Sequence, residues 1–198
     1  MMRSGLSFLL IAVFLLLTAS AFADNSLFVP SSDVTFHLSS EEKSYEIDEE
    51  VLVNYRITNI SNVALYVPRE WEATCPTIPH LWAWFEDHSG NHLVPGYAGS
   101  CFPMEQTIQE RMKKEAVLLK PNESIDGQLK LDPKLFHLAA GRYRVEASLT
   151  GWHEEKFTSQ ERADLEKLGH PFLTGEVPAS LTVILTGDLP DHPVDHRL

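Results

Sequence analysis

The feature that most constrains this chain is a strict two-residue alternation of apolar and polar side chains, repeated in four separate stretches. Val34, Phe36 and Leu38 alternate with polar neighbours. Val51, Val53, Tyr55 and Ile57 alternate with Leu52, Asn54, Arg56 and Thr58. Ile125, Gly127, Leu129 and Leu131 alternate with Asp126, Gln128, Lys130 and Asp132, and Tyr143, Val145, Ala147 and Leu149 with Arg144, Glu146, Ser148 and Thr150. Successive side chains of a strand point to opposite faces, so this period describes half-buried, antiparallel strands. Further apolar runs at 63–67, 81–86, 115–119 and 179–186 bring the expected strands to about eight. Turn clusters at Asn59–Asn62, His88–Asn91 and Pro121–Glu123 separate them, and many short strands with such punctuation specify a sandwich or barrel.

One helix is expected from about Thr158 to Leu168. Thr158-Ser159-Gln160-Glu161 has the form of a capping box, and Gly169 followed by Pro171 supplies the stop. Met104, Ile108 and Met112 recur at four-residue spacing, leaving Met104–Lys114 open between helix and loop.

Residues 1–23 read as a signal peptide: Arg3 precedes an apolar run from Leu6 to Leu17, and Ala21-Phe22-Ala23 forms a small-x-small cleavage site before Asp24. The run is shorter than the roughly 20 residues a membrane-spanning helix needs. The expected organisation is therefore a signal peptide at 1–23, one domain at 24–187, and a disordered, proline-containing tail at 188–198, in a secreted or periplasmic protein. The net charge is −12 over the chain and about −13 once Arg3 is removed. Such a charge opposes binding to nucleic acid and to anionic lipid. In an oxidising compartment Cys75 and Cys101 read as a disulfide, worth about 3.5 kcal/mol for closing a loop of about 26 residues. Asn59-Ile60-Ser61 and Asn122-Glu123-Ser124 fit glycosylation sequons.

Leu138-x-x-Gly141-x-Tyr143-x-Val145 resembles the tyrosine corner of immunoglobulin-like domains, in which the tyrosine hydroxyl bonds back to the preceding loop. Val145 stands where antibody domains place a cysteine. Glu49-Glu50-Val51, Thr58-Asn59-Ile60-Ser61, Leu119-x-Pro121-Asn122-Glu123-Ser124 and Gly141-x-Tyr143-x-Val145 follow in an order that resembles secreted bacterial immunoglobulin-like domains. The same order is similar to the Bacillus-type intracellular proteinase inhibitor domain. The resemblance spans Val34 to Leu149 and implies a mostly-β, immunoglobulin-like antiparallel sandwich with one short inserted helix. It also implies inhibition as an alternative activity, with the segment Pro76–Ser100 as the protruding loop.

Catalytic signatures are missing. His153-Glu154 lacks the second histidine of a zincin, no G-x-S-x-G elbow occurs, and the glycines of Pro95–Ser100 are not followed by a phosphate-loop lysine. His80, His88 and His92 lie near an expected hairpin, where His88 and His92 could hold zinc with Asp87; the reading adopted is solvated histidines, with no metal and no cofactor assigned. Arg111, Lys113 and Lys114 form a dense basic cluster that reads as a solvated face.

Trp71 to Phe102 is the most informative region. Trp82 and Trp84 share one face of a strand, with Leu81, Ala83 and Phe85 on the other. Trp71, Tyr97 and Phe102 lie nearby in sequence, and Cys75 and Cys101 would close the segment. Rigid aromatics anchor partners because they bury large area at low entropy cost; the competing reading buries both tryptophans as ordinary core. The expectation is a non-enzymatic, extracytoplasmic binding module whose partner is another protein or a surface polymer, with Trp71, Trp82, Trp84, Tyr97 and Phe102 as its binding residues. A metal-binding protein or metal-dependent enzyme is a further alternative.

Overall fold

Each of the four alternating stretches becomes a strand in the computed structural model, which describes residues 26–69, 80–93 and 107–187. The strands, in chain order, are β1 (Phe28–Val29), β2 (Val34–Ser39), β3 (Ser44–Glu46), β4 (Val51–Asn59), β5 (Leu65–Pro68), β6 (Leu81–Glu86), β7 (His92–Leu93), β8 (Ala116–Leu119), β9 (Ser124–Leu131), β10 (Gly141–Thr150), β11 (Phe172–Leu173) and β12 (Glu176–Thr186). The two α-helices among the described residues are α1 (Ile108–Glu115) and α2 (Ser159–Glu166). The strands exceed the expected eight chiefly because two-residue bridges such as β1, β7 and β11 carry no periodicity of their own. The signal peptide, the tail, Cys75 and Cys101 lie outside the described residues.

The fold is a mostly-β, immunoglobulin-like sandwich. A five-stranded sheet runs β3-β12-β10-β6-β7, a three-stranded sheet β2-β4-β9, and a four-stranded sheet β1-β11-β5-β8. Their inner faces meet in one core: Val51, Val53, Tyr55 and Ile57 from β4, Phe85 from β6, Val145, Ala147 and Leu149 from β10, Val183 and Leu185 from β12, and Leu65 and Val67 from β5. Val145 is fully buried there, filling with an isopropyl group the place where antibody domains carry a cysteine. The tyrosine corner is present: the Tyr143 hydroxyl donates to the Ala139 carbonyl at 3.0 Å and accepts from the Ala139 amide at 3.3 Å.

The other face of the four-stranded sheet carries a second apolar cluster. Phe28, Phe172 and Tyr66 pack there beneath Ile108 and Met112 of α1, Leu165 of α2, and Trp152 and Phe157. Both helices begin with a capping box. The Thr158 hydroxyl accepts from the Glu161 amide and the Glu161 carboxylate accepts from the Thr158 amide, with the same pairing between Thr107 and Glu110. The first box follows the sequence expectation. The second resolves the described part of the stretch left open from sequence as a helix, Ile108–Glu115, with Ile108 and Met112 buried, while Met104 lies outside the described residues. Gly169 takes a φ of +78° just beyond α2, a conformation open to glycine at no steric cost.

Two positions fix local geometry. Gly127 faces Tyr55 across the β4–β9 ladder, and a β-carbon there would lie 2.2 Å from the Tyr55 ring. The absent side chain is the space the ring occupies. Asn59 is fully buried. Its amide nitrogen donates to the carbonyls of Val63 at 2.8 Å and Leu119 at 2.9 Å, and its oxygen accepts from the amide and hydroxyl of Ser61. The first sequon is thus a structural crosslink rather than an accessible acceptor. The second, at Asn122, lies in an exposed turn with φ of +63°.

Replacing Gly127 by alanine should lower unfolding stability by about 1–3 kcal/mol through overpacking. The same substitution in a Tyr55→Ala background should cost much less, which a double-mutant cycle by chemical denaturation measures. Expressed through a glycosylating secretory pathway, the folded protein should carry glycan at Asn122 and none at Asn59, read by mass spectrometry of Asn122→Gln and wild type.

Candidate functional site

The outer face of the five-stranded sheet follows from the register of β10. Antiparallel pairing sets Ser148 opposite Trp82, Glu146 opposite Trp84 and Arg144 opposite Glu86 on one side, and Pro178, Ser180 and Thr182 of β12 on the other. Since Val145, Ala147 and Leu149 point into the core, these residues point outward. On β6, Leu81, Ala83 and Phe85 pack against the core, as the sequence requires.

The two tryptophans share this face and differ in environment. Trp82 is 51% exposed. Trp84 is half-buried, with its ring centroid 5.3 Å from that of His92. Its indole nitrogen is buried without a hydrogen-bond partner among the described residues, and so is the Ser148 hydroxyl. An exposed indole over a β-sheet is a flat apolar platform of the kind that stacks on a partner's aromatic, aliphatic or saccharide surface. Trp71, Tyr97 and Phe102, the other residues expected to bind, lie outside the described residues.

Beside the platform is a cluster of charges. The β6–β7 register pairs Glu86 with His92. His92 Nε2 lies 3.7 Å from Glu86 Oε2 and 3.8 Å from Glu146 Oε2. The Arg144 guanidinium donates to Glu146 Oε1 and stands 3.5 Å from Glu86 Oε2. Its ionised form is favoured first by the hydrogen bond to Glu146; desolvation opposes this next, and the charges of Glu146 and Glu86 add smaller favourable effects.

The three histidines considered from sequence are not brought together. His80, at the far end of β6, has Nδ1 2.7 Å from the Thr150 carbonyl, which fixes the proton on that nitrogen, and its ring lies against Trp152. His88 sits exposed in the turn. Asp87, the carboxylate considered for zinc, instead closes the turn by accepting from the amides of Ser89 and Asn91 and the Asn91 side chain. These bonds, the Asn91 side chain foremost, hold its carboxyl below the ordinary range. The carboxylates that face His92 are Glu86 and Glu146. Glu146 lies far along the chain, and nothing local in sequence marks it.

His80 has a different role. Its Nε2 points at Glu115 Oε2, 3.8 Å away, and Glu115 also accepts from Arg111 Nε at 2.8 Å. Arg69 donates to the carbonyls of Lys113 and Lys114, placing a cation at the negative end of α1. The basic stretch of α1 is thus in part structural, with Arg111 paired and Lys113 exposed. Burial pushes the Glu115 carboxyl upward, but the facing His80 imidazole and the hydrogen bond from Arg111 together outweigh it, so it sits below its ordinary 4.5.

No protein-family model matches the sequence, and no curated protein matches it. Among solved structures, a β-glucosidase from Listeria innocua in complex with glucose aligns at 13% identity with a TM-score of 0.41, over 79% of this chain and 16% of that one. A β-glucosidase from Erythrobacter marinus aligns at 13% identity with a TM-score of 0.38, over 77% of this chain and 15% of that one. The CARDB domain of a Pyrococcus furiosus protein, in complex with di-metal ions, aligns at 11% identity with a TM-score of 0.38, over 78% of this chain and 88% of that one. This chain therefore spans only about a sixth of the length of either β-glucosidase. At such identities and scores no activity is transferred from any of them.

A carboxylate whose folded pKa is lowered stabilises the fold above its unfolded pKa and loses that contribution as pH falls through the folded value. Replacing Glu115 by glutamine should therefore cost on the order of 1 kcal/mol at neutral pH. The difference from wild type should close as the pH drops below about 4.5, as followed by thermal melts across pH.

Proposed function

We propose that the protein is a non-enzymatic, exported binding module, and that its binding face is the outer surface of the five-stranded sheet around Trp82 and Trp84. The single observation that carries this reading is the 51% exposure of Trp82 within a regular strand paired into the sheet. Trp82 stands two residues from Trp84 on the same sheet face, and rigid aromatics so placed bury large area on a partner at low entropy cost. Ser180 and Thr182 give the platform a small polar border on β12, and Arg144, Glu86 and Glu146 give it a charged one. The signal-peptide pattern at 1–23 supports export, so the partner is an extracytoplasmic protein or a surface polymer. The proteinase-inhibitor alternative asks for a protruding loop between Pro76 and Ser100. Residues 81–86 and 92–93 of that segment are instead strands paired into the sheet, which favours the sheet-face reading.

The test is capture from the extracytoplasmic fraction of the native source, with oxidised mature protein as bait. Replacing Trp82 by alanine should weaken the captured interaction by tenfold or more, the usual scale for a central aromatic anchor, while the thermal midpoint stays close to wild type. Undiminished capture by a folded double variant lacking both Trp82 and Trp84 overturns the assignment of this face.

A further inference from the structure

The charged cluster on this face has the geometry of a metal site awaiting contraction. Among the described residues, Glu86, His92 and Glu146 each offer one ligand atom, and the three atoms lie within 4.8 Å of one another. The two edges at His92 Nε2, 3.7 and 3.8 Å, are too long for hydrogen bonds, so the imidazole points between two carboxylate oxygens and bonds to neither. Donors at 2.0–2.1 Å around a tetrahedral ion stand about 3.4 Å apart. The two edges at His92 need to close by only a few tenths of an ångström, and the edge between the two carboxylate oxygens, within 4.8 Å, closes by rotation of the glutamate side chains.

Three further features agree with this. The donors come from three adjacent strands, β7, β6 and β10, whose register fixes them on one face. Both carboxylates are held at 17% side-chain exposure, where an unneutralised pair of like charges on neighbouring strands is unfavourable. Arg144 balances one of the two negative charges. It does so through Glu146 Oε1, leaving Oε2 turned to His92. A cation that binds the far oxygen of a ligating carboxylate is how outer groups orient metal ligands. The Trp84 ring beside His92 supplies an apolar wall that restricts rotation of the imidazole.

We propose that Glu86, His92 and Glu146 bind one divalent transition-metal ion, with Arg144 as the residue that positions Glu146. One borderline imidazole and two hard carboxylates suit Zn²⁺ first and Mn²⁺ second. Binding requires Arg144 to keep its bond to Glu146 and relinquish its 3.5 Å approach to Glu86 Oε2. Three protein ligands leave at least one coordination position for water or for a partner's donor atom. This site needs no partner to be tested, so its success or failure is separate from that of the binding face.

Isothermal titration of the tag-free, oxidised mature protein with zinc chloride should show one site of micromolar affinity. His92→Ala and Glu146→Gln should each weaken it at least tenfold. His92 is 55% exposed at its side chain, so its removal leaves the fold intact, and circular dichroism verifies this for both variants. In parallel, Co²⁺ should quench tryptophan fluorescence in wild type, and most of that quenching should vanish in Trp84→Phe. Millimolar or absent binding overturns the proposal. So does micromolar binding that His92→Ala leaves unchanged, because the ion then sits elsewhere.

Discussion

The ladder that β10 forms with β12 on one side and β6 on the other is the constraint on which the remaining structure depends. It pairs all ten residues of β10 with β12 and six of them with β6. One register therefore decides two things together. It sends Val145, Ala147 and Leu149 into the core beside Phe85, and it sets Arg144, Glu146 and Ser148 beside Glu86, Trp84 and Trp82 outside. A slip of one residue would exchange the faces, placing charges in the core and apolar side chains in water. The tyrosine corner at the entry of β10 pins that register from the loop side, since Tyr143 is tied to Ala139 in both directions.

The second apolar cluster makes the sandwich a three-layer structure at one end. Each helix has eight residues, too short to persist alone in water. Capping boxes satisfy their first amides, and packing on Phe28, Tyr66 and Phe172 supplies the rest. His80 and Glu115 join the two regions, because His80 belongs to the start of β6 and Glu115 to the end of α1.

Much of the fold is legible in sequence because its signals are local. The two-residue period of β2, β4, β9 and β10, the capping box of α2 and the tyrosine corner each occupy a short stretch whose physics does not depend on distant residues. The same box at Thr107 and Glu110 passes unnoticed in a reading led by apolar spacing from Met104. The orientation of Trp82 and Trp84 is legible from parity alone, but their exposure is not, because it depends on what lies across the sheet. The charged cluster is the least legible part. Glu86 and His92 are close in sequence, yet Glu146 joins them only through the β6–β10 register, and a search guided by sequence proximity pairs His92 with Asp87. Asn59 shows the opposite error: a surface-modification pattern whose asparagine is an interior crosslink, because the same side chain that accepts sugars is well made to bridge two carbonyls.

The burial of Asn59 also has a chemical consequence over the lifetime of the molecule. Its amide nitrogen must donate to two carbonyls, a task an aspartate cannot perform. Deamidation would replace those donors with a carboxylate facing two carbonyl oxygens in a dry interior. In the folded protein the residue is shielded from the water that hydrolysis needs. In the unfolded chain it is not, so each excursion out of the native state exposes the molecule to a change that prevents its return, and folding here preserves the covalent identity of the chain as well as its shape.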